Sequence, residues 1–154
     1  MKPARDLTNL EVLEIAIKAE VDAAAMYRKM AKMVKNKDLK NRLLYLENEE
    51  NGHQALFERM YKKQFPDVEL DLPKVSAVPS VEDALHKEMG LKKLFEIAME
   101  AELLSEKFYN ELAEISQDLQ ATTTYRYLAR VEHGHFDLLK NELEFLKKFP
   151  EYYQ

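Results

Sequence analysis

The chain has 154 residues, 46% of them hydrophobic and 33% charged, with a net charge of −5 and no cysteine. That is one domain's worth of chain; its acidic balance excludes the basic footprint of a nucleic-acid binder, and the lack of Cys excludes disulfides, thiolate metal sites and cysteine nucleophiles. No apolar run reaches the ~20 residues of a membrane span, and no uncharged apolar core follows the first basic residues as a signal peptide requires, so a soluble cytoplasmic protein is expected.

Three Gly and five Pro are too few for a turn-rich fold and predict long helices with short connections. Thr8-Asn9-Leu10-Glu11 is a capping-box pattern. It opens a helix whose heptad runs Leu13, Ala16, Glu20, Ala23, Tyr27, Met30, Val34 and ends near Asn36. After a polar turn, Asn36-Lys37-Asp38, a second helix carries Leu43, Leu46, Glu50, His53, Phe57 and Met60 inward. Pro66, Pro73 and Pro79 rule out a continuous helix over 64–80. This stretch reads as a crossover, with a short extra helix capped at Ser80 and running to about Gly90. A third helix follows with Phe95, Ala98, Glu102, Ser105, Tyr109 and Leu112. A fourth holds Tyr125, Leu128, Glu132, His135 and Leu139 and stops before Pro150. The predicted fold is all-α: a single domain over 1–154, built as a four-helix bundle of two antiparallel hairpins joined by the 64–90 crossover.

Each helix interrupts its apolar seam at the same level. Glu20, Glu50, Glu102 and Glu132 stand where the heptad expects a hydrophobe, and His53 and His135 take the next inward positions. A buried unpaired carboxylate costs several kcal/mol even after relaxation. Four in one layer need a shared cation, or protons.

The chain also repeats itself, residues 8–64 on 90–146, at an offset of 82. In one ungapped register Glu20 falls on Glu102, Tyr27 on Tyr109, Glu50 on Glu132, Gly52 on Gly134 and His53 on His135. Two pseudo-equivalent hairpins would bring both ligand sets to a common centre. Positions i and i+3 share a helix face, so each Glu-x-x-His can point both groups into the core. Carboxylates can bridge two hard cations while each imidazole caps one. One Glu from each of two helices and Glu-x-x-His from the other two is the pattern of ferritin-like di-iron and di-manganese proteins. Each Glu-x6-Tyr adds a phenol two turns along the seam, for which a ligand carboxylate of a neighbouring helix is a partner.

On these paired motifs the sequence resembles the rubrerythrin-like branch of the ferritin-like superfamily, over about residues 8–148. The resemblance implies a non-haem di-iron site on Glu20, Glu50, His53, Glu102, Glu132 and His135, with Tyr27 and Tyr109 tuning it. It implies reduction of hydrogen peroxide or dioxygen, a protective role against peroxide, and a homodimer or larger homo-oligomer. Manganese is a second candidate metal. Full rubrerythrins carry a Cys-rich electron-transfer module; without Cys, the electron donor here must be a separate molecule. The family pattern also has a further Glu three residues after the third-helix ligand, where this chain has Ser105, with Glu106 one residue on. A ferritin-type iron oxidation and storage protein, and a bundle that holds metal without redox use, are the alternatives.

Several residues remain outside that set. Glu47 is a candidate extra carboxylate. His133 reads as a solvated histidine off the inward face, and His86 as an exposed residue of the crossover. Tyr152 and Tyr153 read as tail packing or disorder. Gly52 and Gly134, each preceding a ligand His, suggest packing against a neighbouring element or subunit.

Overall fold

A computed structural model describes residues 4–75 and 89–153. Four long helices dominate it: α1 (Asn9–Met33), α2 (Lys37–Gln64), α3 (Leu91–Ile115) and α4 (Leu119–Lys148). Short 3-10 turns, Ala4–Asp6 and Pro150–Tyr153, flank them. The predicted short helix after Ser80, and His86 with it, lie outside the described residues.

The caps explain where the helices start. Thr8 accepts from the Glu11 amide at 3.2 Å while the Glu11 carboxylate accepts from the Thr8 amide at 3.3 Å, a reciprocal capping box. Asn36 caps α2 by accepting from the Leu39 amide at 2.9 Å. Lys37 and Asp38, expected in the turn, are therefore the first residues of α2, because an Asx cap satisfies an amide that a looser turn would leave to water. Asp118 caps α4 through the Ala121 amide at 3.0 Å. The α1–α2 connection shrinks to residues 34–36, with Val34 and Asn36 both extended as the caps of the two helices.

α1 packs along α2, and α3 along α4, as two hairpins. The hairpins meet so that the start of α1 lies with the ends of α2 and α3 and the start of α4. Val12, Leu13, Phe57, Tyr109, Leu112 and Tyr125 share one hydrophobic cluster at that end. Tyr27, Met30, Leu43, Leu46, Phe95 and Leu139 share a second cluster at the other. Each fully buried Leu or Phe contributes about 1.5–3 kcal/mol, so the two clusters are the bulk of the driving force. The layer between them is polar, and it contains the six heptad interruptions.

The far end is closed by the C-terminus, which the sequence left between packing and disorder. Pro150 ends α4 and turns the chain back, and Tyr153 is buried in the second cluster. Its hydroxyl donates to Glu142, which also pairs with Arg42 at 2.8 Å. The Tyr152 hydroxyl donates to Asp38, and its carbonyl accepts from the Asn36 side chain at 2.7 Å. The signal was a proline followed, one residue on, by two aromatics.

Gly52 and Gly134 are exposed, and a Cβ added at either meets nothing within 4 Å. The packing against a neighbouring element expected of them is not made among the described residues. Removing a mid-helix glycine's backbone freedom is worth roughly 0.5–1 kcal/mol. Gly52→Ala and Gly134→Ala should each raise the unfolding free energy by that amount, read from urea denaturation. Tyr153→Ala should lower stability by about 2 kcal/mol, read in the same unfolding experiment.

Candidate metal centre

Glu20 from α1, Glu50 and His53 from α2, Glu102 from α3, and Glu132 and His135 from α4 are all buried. They form one layer between the two hydrophobic clusters. The 3.6-residue repeat puts Glu50 above His53, and Glu132 above His135, on the inward faces of their helices. The rings of His53 and His135 lie face to face, with centroids 6.2 Å apart and planes 14° from parallel.

The ligand atoms sort into two overlapping sets. One atom each from Glu20, Glu50, His53 and Glu132 lie within 4.8 Å of one another, and so do atoms from Glu50, Glu102, Glu132 and His135. Glu50 and Glu132 belong to both sets, the position of carboxylates that bridge two cations. Glu20 with His53, both from the first hairpin, and Glu102 with His135, both from the second, each belong to one set only.

Unsatisfied polar atoms point the same way. Glu20 Oε2, Glu50 Oε1, Glu102 Oε2, Glu132 Oε1 and Nδ1 of both histidines are buried and make no hydrogen bond. The atoms are close nonetheless: His135 Nδ1 is 2.9 Å from Glu50 Oε1, and His53 Nδ1 is 3.2 Å from Glu132 Oε1. Short distances without hydrogen-bond alignment are what lone pairs show when they converge on a common point. Native proteins leave few buried polar groups unpaired, and each needs an explanation. Carboxylate-rich donors with one imidazole per set suit iron or manganese. The residues therefore fit a two-metal group.

The remaining oxygens are tied across the hairpins. Tyr27 on α1 donates to Glu102 on α3, and Tyr109 on α3 donates to Glu20 on α1. Each phenol thus serves the other half's carboxylate. Burial, then the nearby carboxylates, hold both phenols well above their ordinary value, so they remain protonated donors.

Electrostatics without metal are strained in a definite direction. Burial, with repulsion from Glu20 and Glu102, holds Glu50 well above the carboxylate range; burial, with Glu102 and Glu50, does the same to Glu132. Burial pushes Glu102 up too, but the neighbouring Glu132 and His135 and the bond from Tyr27 outweigh it and bring that group down. Burial pushes His53 down, and the nearby Glu20 carboxylate, 3.5 Å from its Nδ1, more than reverses it. Protons thus stand in for cations in the metal-free layer.

Other sequence candidates lie elsewhere. Glu47 pairs with Arg28 at 2.8 Å and supplies no atom to either converging set. Exposed His133 bonds Glu106 at 2.8 Å and lies 3.7 Å from Asp137. Glu106 is therefore engaged on the surface and does not replace the carboxylate that Ser105 lacks.

The sequence model of the Rubrerythrin family matches residues 11–143. Among solved structures, a hypothetical protein from Pyrococcus furiosus is 32% identical, with a TM-score of 0.83, over 94% of this chain and 93% of that one. Among curated proteins nothing matches this chain.

Raised folded-state values for Glu50, Glu132 and His53 mean stability that is present below their ordinary values of 4.5, 4.5 and 6.5 and lost as pH rises through the folded ones. Lowered Glu102 has the opposite sign, its contribution being lost as pH falls through its folded value. The metal-free protein should therefore be most stable in mild acid and weaken toward neutral pH. Because metals replace protons, stabilisation by anaerobic ferrous or manganous ion should grow as pH rises. Urea midpoints with and without metal across the pH range check both arms.

The family match spans nearly the whole bundle and takes in all six converging residues, and the chain therefore belongs to the rubrerythrin family.

Proposed function

We propose that this chain is a non-haem di-iron carboxylate oxidoreductase that reduces hydrogen peroxide or dioxygen with electrons from a separate donor. The observation that carries the reading is the layer of buried carboxylate and imidazole atoms without partners, divided into two four-residue sets that share Glu50 and Glu132. Glu20 and His53 would hold one ion and Glu102 and His135 the other, with Glu50 and Glu132 between them. When bound, a ferrous pair supplies two electrons to an oxidant and charge stabilisation to the oxygen that departs.

The protein's own residues do the rest. The apolar clusters above and below exclude bulk water, which strengthens every charge interaction inside. Tyr27 and Tyr109 fix the orientation of Glu102 and Glu20 and keep a hydroxyl proton bonded into the layer. Absence of cysteine leaves the chain no thiolate-bound iron of its own, so the reducing equivalents come from another molecule.

Anaerobic loading with two ferrous ions, followed by stoichiometric peroxide, should give rapid oxidation and water as product. Addition of a reductant should restore the ferrous form for repeated turnover. A loaded centre that peroxide does not oxidise would overturn the reading. Glu50→Ala should abolish paired binding, read as loss of cooperative metal uptake. Tyr109→Phe, which leaves a Glu20 oxygen without its donor, should cost about 1–3 kcal/mol of metal-free stability while keeping the metal stoichiometry.

A further inference from the structure

The repeat makes the two halves comparable position by position, and one of their differences is the set of rings stacked on the two phenols. Tyr109, bonded to Glu20, stacks on Phe57 with ring centroids 5.8 Å apart, and Phe57 stacks on Tyr125 at 6.3 Å. In the other half Tyr27 is bonded to Glu102, but the positions equivalent to Phe57 and Tyr125 are Leu139 and Leu43, both buried in the cluster that holds Tyr27. Packing alone does not call for rings there, since leucine fills the same places across the pseudo-two-fold. The ends differ in the same sense. The Tyr27 end is closed by Tyr153. At the Tyr109 end a cavity of about 680 Å³ opens, with Tyr125, Leu13, Leu112, Asp118 and Gln64 in its lining.

Tyr125 joins the two features. Its ring is buried against Phe57 and forms part of the cavity wall. Asp118 lines the same cavity, and burial, then the charge of Asp118, push the Tyr125 phenol up to about 12. A site of this volume suits a small organic molecule. Apolar side chains stand there beside the Asp118 carboxylate, the Arg5 guanidinium, the amides of Asn9, Gln64 and Gln117 and the Tyr125 phenol, a mixture that suits an aromatic ring carrying hydroxyl groups.

We propose that this end cavity binds a small aromatic reductant of the hydroquinone class, and that the Tyr125–Phe57–Tyr109 stack carries its electrons to the Glu20 side of the metal layer. This rests on the di-iron reading above. In the reaction the hydroquinone loses two electrons and two protons and leaves as quinone. The electrons reduce two ferric ions to ferrous, and the protons pass to water in the cavity. The stack shortens the gap between donor and metal by filling it with contiguous π-systems, on one side of the bundle only.

The test separates binding, path and function. Titrating 1,4-naphthohydroquinone anaerobically into metal-free protein should shift the NMR signals of Tyr125 and Ala121, and Gln64→Trp, a change at an exposed rim position, should abolish the shifts. In iron-loaded protein oxidised with ferricyanide, Phe57→Leu and Tyr125→Leu, which copy the other half, should slow reduction by the hydroquinone at least about tenfold. Their reduction by dithionite, which needs no docking, should match the wild type. Absence of binding, binding that Gln64→Trp leaves intact, or undiminished reduction of both leucine variants would overturn the proposal. Neither arm uses peroxide, so a centre that is reduced by this route yet inert to peroxide would sink the proposed function and leave the port standing.

Discussion

Four carboxylates in one dry layer set the terms for everything else in this bundle. Taking even one charged carboxylate out of water costs several kcal/mol, and Glu20, Glu50, Glu102 and Glu132 are each no more than 2% exposed. Such a layer persists only where cations or shared protons neutralise it, and where apolar packing on both sides holds the helices in phase. The two hydrophobic clusters supply that clamp. Phase matters because a rotation of one helix by one residue would turn its Glu to solvent and bring a neighbour inward. The cross-hairpin bonds from Tyr27 and Tyr109 tie the halves together at this same level.

Pseudo-symmetry governs the layer but not its surroundings. Ligand pairs, phenols and exposed glycines recur in both halves. Outside the layer the halves diverge: Arg28 pairs with Glu47 on the first hairpin, where the second has Asn110 and Ala129. On the second, Glu106 pairs with His133, where the first has Ala24 and Asn51. One end is plugged by the C-terminal turn and the other opens on a cavity. A duplicated centre thus sits in an asymmetric shell.

Much of this was legible in the sequence because helical periodicity is a local signal. Thr8, the heptad positions, the proline-rich crossover and the 82-residue register are all read along one strand of text. Together they yield the four helices, their inward faces and the six residues that break the apolar seam. What local signals could not supply is pairing across helices. Nothing in Glu50 or Glu132 alone marks them as common to both converging sets, nor Glu20 and Glu102 as members of one set only. That Tyr27 reaches Glu102, and Tyr109 reaches Glu20, is likewise a property of how antiparallel α1 and α3 face each other. Spacing made Glu47 a candidate for an extra carboxylate and could not show that Arg28 on the neighbouring helix pairs with it.

The sequence by itself therefore determined the elements, the level of the polar layer and its composition, since each follows from period, capping and the cost of burying charge. Only the tertiary structure decided the division of labour within the layer, the sealing of one end by Tyr153, and the open end with its stacked rings. Those depend on distances between residues far apart in the chain, and hydrophobic burial, being non-directional, specifies that helices meet but not which atoms face each other once they do.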